Sequence, residues 1–239
     1  MAAAAPIIAL ISAGLAFVGL AGAFLGILTP MAGFQTFIAG CLAGGLFSTI
    51  IALVGIFLTR GGLDPEGRMR ALMALAIGLG LMIIVLGAAS TGGDAPPIND
   101  IATDLTNPPA FADADLVADY RGRDMSYPPE FVEIVSEHYP DLAPVRVSAA
   151  PADAFLRSLR AAEALGWEVI AKDGPAGAFY AKDVTSIFRF VDDIVVRITP
   201  DGTGSLIDIR SKSRKGRGDL GANAMRIRAL VAELEGLTS

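Results

Sequence analysis

The sequence predicts an α+β protein in which three N-terminal transmembrane helices precede an antiparallel sheet with two helices packed on one face. Apolar residues make up 53% of the chain and mean hydropathy is +0.54, above the apolar share of about 45–50% found in soluble domains. The excess lies in three nearly uncharged runs, Pro6–Leu28, Gln35–Leu58 and Met69–Ala89. Each is close to the ~20 residues that an α-helix needs to cross about 30 Å of hydrocarbon. Beyond them come short apolar and charged alternations broken by Gly and Pro, the pattern of strands and turns.

The first run is expected to stay as a helix. Met1–Pro6 lacks the basic start of a signal peptide, and the apolar run exceeds the ~7–15 residues of a signal core. Between the second and third runs lie Arg60, Arg68 and Arg70, whereas the loop before Gln35 carries no charge. Positive loops stay in the cytoplasm, so the N-terminus is expected there and everything after Ala89 outside, which in a bacterium is the periplasm. Gly22 and Gly26, Gly40 and Gly44, and Ala74 and Gly78 repeat the small-xxx-small spacing that lets helices approach closely. The expected use of these pairs is packing of the three helices on one another, with an oligomer or a partner complex as the alternative. No ionisable residue sits inside the spans, Arg70 lying at the edge of the third, which argues against an ion or proton path. Cys41 has no second cysteine to pair with.

The expected organisation is a membrane region over residues 1–89, an acidic Pro-rich arm over 90–143 and a compact α+β domain over 144–239. From Ser90 to Asp141 there are 11 acidic residues against Arg121 and Arg123, with prolines throughout. The window Ile209–Arg228 has seven basic residues against Asp219. The simplest partner for that basic window is the arm itself, folding back. Within the domain, Val145–Val147 reads as a strand, and Pro151 opens a helix that Gly166 ends. Strands follow at Trp167–Lys172, Gly177–Asp183, Ile187–Thr199 and Ser205–Ser213, and a final helix runs from about Asp219 to Leu237 with Leu220, Ala224, Ile227, Val231 and Leu234 as its buried stripe.

Alternation in the last two strands fixes a register. Phe188, Phe190, Ile194, Val196 and Ile198 share one face, with Asp193 and Arg197 on the other. Pairing Arg197 with Asp208 places Asp193 opposite Lys212, so both cross-strand pairs join opposite charges. The apolar face is expected under helices and the charged face in water. Asp192 breaks the pattern by falling on the apolar face, where it needs an arginine, a backbone turn or the Ser213 hydroxyl as partner. Asp192, Asp193, Arg210, Ser213, Arg214, Arg217, Asp219 and Asn223 are therefore the candidate polar cluster, structural or anion-binding. Of these, Asp192, Arg210, Arg214 and Asn223 are expected to tie the sheet to the last helix. A basic turn at a helix start suits an anion, but Asp219 supplies the negative group those donors want.

The stretches Ser205–Asn223, Phe188–Arg197 and Tyr139–Arg146 resemble the bacterial and plastid family known as domain of unknown function 1499. The resemblance runs from about Ile98 to the C-terminus and implies no settled activity.

Enzyme chemistry has little to stand on. His138, the only histidine, falls in a short amphipathic segment, no nucleophile elbow occurs, and no cysteine or histidine cluster offers a metal site. No catalytic residue, metal ligand or cofactor is expected. An extracytoplasmic domain without strong basic excess is also a poor nucleic-acid binder. The expected protein is a non-enzymatic bacterial inner-membrane protein whose periplasmic domain binds a partner or ligand in the envelope. Its partners are the lipid bilayer and an envelope protein or anionic ligand, with a homo-oligomer or larger membrane complex open. The alternatives are an accessory or assembly subunit of such a complex and a hydrolase with an unrecognised site.

Overall fold

The computed structural model describes residues 4–62, 64–90 and 92–236, which fall into two compact units, Met1–Gly93 with Thr185–Arg189, and Asp94–Val184 with Phe190–Ser239.

In the first unit, helix α1 spans Ala5–Phe24. Thr29 then caps helix α2, Pro30–Ile38, by accepting from the Ala32 N–H at 3.3 Å, with Pro30 in the first turn, where its missing donor costs nothing. A π-helical turn, Ala39–Gly44, joins α2 to α3, Gly45–Leu58, so that Pro30–Leu58 forms one continuous helix. Asp64 caps α4, Pro65–Ser90, through the Gly67 N–H at 2.8 Å. Ala5–Phe24, Pro30–Leu58 and Pro65–Ser90 are each long and apolar enough to cross a membrane. Small residues draw them together. A Cβ on Gly40 would stand 2.5 Å from the Ala16 nitrogen, and Gly45 and Gly78 face each other's carbonyl oxygens at 2.9 and 2.8 Å from the same hypothetical atom. The Ser48 hydroxyl donates to the Ala74 carbonyl at 3.1 Å. Gly40, Gly44 and Gly78 are thus occupied by internal packing, whereas Gly26 faces open space.

The second unit is a six-stranded antiparallel sheet of order β1-β6-β5-β4-β3, with β2 also on β6. Its strands are β1 Asp100–Ala102, β2 Val145–Val147, β3 Glu168–Asp173, β4 Ala178–Val184, β5 Val191–Asp201 and β6 Gly204–Ser213. The short strands β1 and β2 share one edge of β6, β2 beside Ser205–Ile207 and β1 beside Arg210–Lys212. The hairpin β5–β6 has the expected register, Arg197 opposite Asp208 and Asp193 opposite Lys212. Strand β5 begins at Val191, however, so Phe188 and Phe190 precede it rather than lying in its apolar row. Arg189 between them takes φ 61°, which a strand cannot accommodate.

Helices α6, Pro151–Ala164, and α7, Ala222–Gly236, pack on one face of the sheet, and a short helix α5, Phe131–His138, lies beside β1. The main core gathers Phe179, Ile194, Val196, Ile207, Ile209, Ile227 and Leu230 between sheet and helices. Helix α7 starts three residues later than expected because Leu220 and Gly221 turn at φ 55° and 82°. Leu220 is consequently exposed, and the buried stripe instead holds Asn223, Ala224, Arg226, Ile227, Leu230 and Leu234. The expected end of this helix at Leu237 lies outside the described residues.

The opposite face is largely covered instead of lying open to water. Asp193, Asp208 and Arg210 are 0%, 1% and 2% exposed. Part of the acidic Pro-rich segment covers them, with Phe111, Val117 and Tyr120 packing on Ala178, Tyr180 and Val195 in a second apolar cluster. Its apolar residues are irregularly spaced between prolines, so no period in the sequence marks them as core. Fold-back is thereby realised in ion pairs: Asp100 with Arg210 and Lys212, Asp104 with Arg197, Asp119 with Arg214 and Asp141 with Arg228.

Candidate functional site

Successive residues of a strand point to opposite faces, and this divides the eight candidate residues. Asp192 and Ser213 lie under α7, and Asn223 is on the buried side of α7 itself. Asp193, Arg210 and Arg214 lie under the covering segment. Arg217 is exposed in the turn, and Asp219 caps α7 by accepting from the Gly221 and Asn223 N–H groups, both at 2.8 Å.

The network under α7 centres on Arg226. Its Nη2 donates to Asp192 at 2.7 Å, its Nε to Asp183 at 2.9 Å and its Nη1 to Asn223 Oδ1 at 2.9 Å. Asn223 donates to Ser213 at 3.0 Å and accepts from Ser211 at 2.6 Å. Asp192 thus meets the buried arginine its position demands, and burial still pushes its carboxyl above the usual carboxylate range, against Arg226 and the Ser213 hydroxyl. Arg210 and Arg214 take no part in this network, which corrects the expectation of a single cluster tying sheet to helix. Arg226 was legible in principle, since it lies three residues after Asn223 and four before Leu230, on the helix's buried side.

Under the covering segment, Arg210 is saturated. Its Nε and Nη2 hold both oxygens of Asp100 at 2.9 and 2.8 Å, and the same guanidinium donates to the carbonyls of Pro109, Met125 and Ser126. The rings of Phe111 and Tyr127 flank it at 4.8 and 5.0 Å. Lys212 also contacts Asp100, at 2.9 Å, so two cations share one carboxylate. Beside them Asp193 receives Arg214 at 2.7 Å and Arg123 at 2.6 Å, and Arg214 continues to Asp119, whose carboxyl its hydrogen bond holds below the usual range. Further along, Arg197 bridges Asp208 and Asp104, and burial pushes Asp208 upward.

Within the covering segment, above Arg210, opens a cleft of about 500 Å³, lined by Phe111, Tyr120, Arg123, Met125, Tyr127 and Arg210 among others. Three polar atoms of its lining residues are buried without a hydrogen-bond partner among the described residues, Tyr120 Oη, Arg123 Nη1 and Tyr127 Oη. Burial, reinforced by Asp193, pushes the Tyr120 hydroxyl well above the ordinary phenol range, so it remains a neutral donor at every physiological pH. A phenol and a guanidinium N–H together suit an oxygen acceptor such as a carbonyl or carboxylate. Nothing in the sequence pattern singled out Tyr120 and Arg123, because the segment holding them carries no regular period. Among the described residues no group of three or more His, Cys, Asp or Glu is placed to hold a metal ion.

Three helices of membrane-spanning length ahead of a six-stranded antiparallel sheet, its second face roofed by an acidic segment, define an α+β protein with an apolar helical anchor. The chain belongs to the family described as protein of unknown function (DUF1499), whose profile matches residues 100–234. That span begins at Asp100 and takes in both polar networks and the cleft. None of the curated proteins matches the chain.

Proposed function

We propose that this is a non-enzymatic, multi-pass protein of the bacterial inner membrane, with its N-terminus cytoplasmic and its sheet unit in the periplasm, and that the sheet unit binds an envelope ligand in the cleft beside Tyr120 and Arg123. One observation carries this reading: three lining residues of the cleft, Tyr120, Arg123 and Tyr127, each hold a buried donor without a partner among the described residues, and a buried donor left unpaired costs about 1–3 kcal/mol. A ligand oxygen that reaches one of these donors removes that donor's cost. Phe111, Met125 and Tyr127 supply an apolar wall, so the ligand class is an organic acid with an apolar body. A role as accessory subunit would draw on the helical faces, but Gly40, Gly44 and Gly78 are spent on internal packing, which favours the cleft.

The test is thermal unfolding of the purified full chain with benzoate, octanoate or inorganic phosphate. Benzoate or octanoate should raise the melting temperature of the wild type but not of Arg123→Leu, and Tyr120→Phe should show a reduced shift. If none of the three probes shifts the wild type, the cleft is not a site for an organic acid and the reading fails.

A further inference from the structure

We propose that the turn Lys215–Leu220, with Met225 on the first turn of α7, rests on anionic lipid headgroups of the leaflet from which α4 emerges. The inference relies on α1–α4 lying in a bilayer and is independent of the cleft.

Charge singles the turn out. Of the seven basic residues between Ile209 and Arg228, Arg210, Lys212, Arg214, Arg226 and Arg228 each hold a carboxylate. Lys215 and Arg217 are exposed and have no carboxylate partner among the described residues. The nearest acid in the turn, Asp219, is engaged by backbone N–H groups, and Asp94 is the one exposed acid in the adjoining strip. Beside the two cations, Leu220 and Met225 are each 60% exposed. Leu220 is held at φ 55°, a left-handed conformation that a leucine rarely adopts, so the backbone is strained where an apolar side chain is presented to solvent. Paired cations and exposed apolar side chains are what an anionic headgroup layer accommodates.

Chain length supplies the second argument. The turn is built on the first residues of its own unit. The Asp219 N–H donates to the Ile98 carbonyl at 3.2 Å and the Asn99 side chain to the Gly216 carbonyl at 2.6 Å. A Cβ on Gly218 would stand 3.1 Å from the Pro97 Cα, and one on Gly221 would touch the Ala95 side chain at 3.6 Å. Helix α4 ends at Ser90. The five residues from there to Ala95 span at most about 18 Å when fully extended. The turn is therefore leashed to the bilayer surface. The opposite end of β6, at the Gly204 hairpin, is ~30 Å from Ser213 along a ten-residue strand.

Full-length protein in liposomes decides this. In a Cys41→Ala background, Met225→Cys and, separately, Thr203→Cys at the far hairpin are labelled with bimane, and quenching by headgroup-nitroxide lipid is read in phosphatidylcholine with and without phosphatidylglycerol. The label at position 225 should be quenched at least twofold more than that at 203 when phosphatidylglycerol is present. The difference should shrink on adding salt to about 1 M, where screening acts within about 3 Å, and in the double variant Lys215→Ser with Arg217→Ser. Equal quenching at the two positions, or quenching indifferent to phosphatidylglycerol, overturns the proposal. So does shielding of position 225 from aqueous iodide without lipid quenching, which would place a protein there instead.

Discussion

Arg210 grips Asp100 through two nitrogens across 110 positions of sequence, and the two side chains are 2% and 0% exposed. The pair ties the edge strand β1 to β6, and the same guanidinium holds the covering segment through the carbonyls of Pro109, Met125 and Ser126. Asp100→Ala would leave a buried guanidinium without its counter-charge, a defect that typically costs about 3–5 kcal/mol. Arg210→Met should cost less, because Lys212 still neutralises Asp100. The double variant should lose clearly less than the sum of the single losses. Urea unfolding of the four proteins in one detergent gives the coupling, and strict additivity would show that the clamp does not act as a unit.

The buried Asp192 gives a pH signature. Its carboxyl is held above the ordinary range, chiefly by burial, so the native state binds this proton more tightly than the unfolded chain does. By linkage, stability from this group rises as pH falls through the window between the unfolded and the raised folded value. Asp192→Asn removes the titration. Relative to that variant, the wild type should gain stability as pH falls through the raised folded value toward the ordinary Asp range near about 4. Asp141 acts in the opposite sense: the hydrogen bond from Arg228 holds its carboxyl low, so its small contribution is present above the ordinary carboxylate range and lost as pH falls through its lowered value. A stability difference between the wild type and Asp192→Asn that stays flat with pH would contradict the burial argument.

The proposed orientation rests on Arg60 in the loop between α3 and α4 and on Arg68 and Arg70 at the start of α4. Alkaline phosphatase fused after Ser239 should be active, and the same enzyme inserted at Gly62 should be inactive. The reverse pattern would put the sheet unit in the cytoplasm.

How much of this was legible depended on periodicity. The β5–β6 register followed from alternation plus opposite charges on one face, and both predicted pairs, Arg197 with Asp208 and Asp193 with Lys212, are present. Asp192 was recognisable as a buried carboxylate for the same reason. Its partner Arg226 was marked only by its spacing to Asn223 and Leu230, and was missed because an arginine on a helix ordinarily reads as solvated surface. Strand β1 escaped notice because it is three residues long, flanked by prolines and begins with an aspartate. The covering segment escaped because its contacts come from scattered residues whose order is set by the sheet they land on. Tyr120 and Arg123, which border the cleft, belong to that aperiodic stretch, so the candidate site could be read only in three dimensions.

The pairing of β1 with β6 also constrains how the protein is made. The strand that opens the sheet unit finds its neighbour only when residues up to Lys212 have been synthesised, and contacts of such separation form slowly. Until then a nascent chain carries Asp100 without Arg210 or Lys212 to pair with, while α1–α4 are already complete. A ribosome that stalls before Ser205 therefore leaves a finished helical unit bearing an incomplete, aggregation-prone sheet, the kind of species that chaperones and proteases recognise.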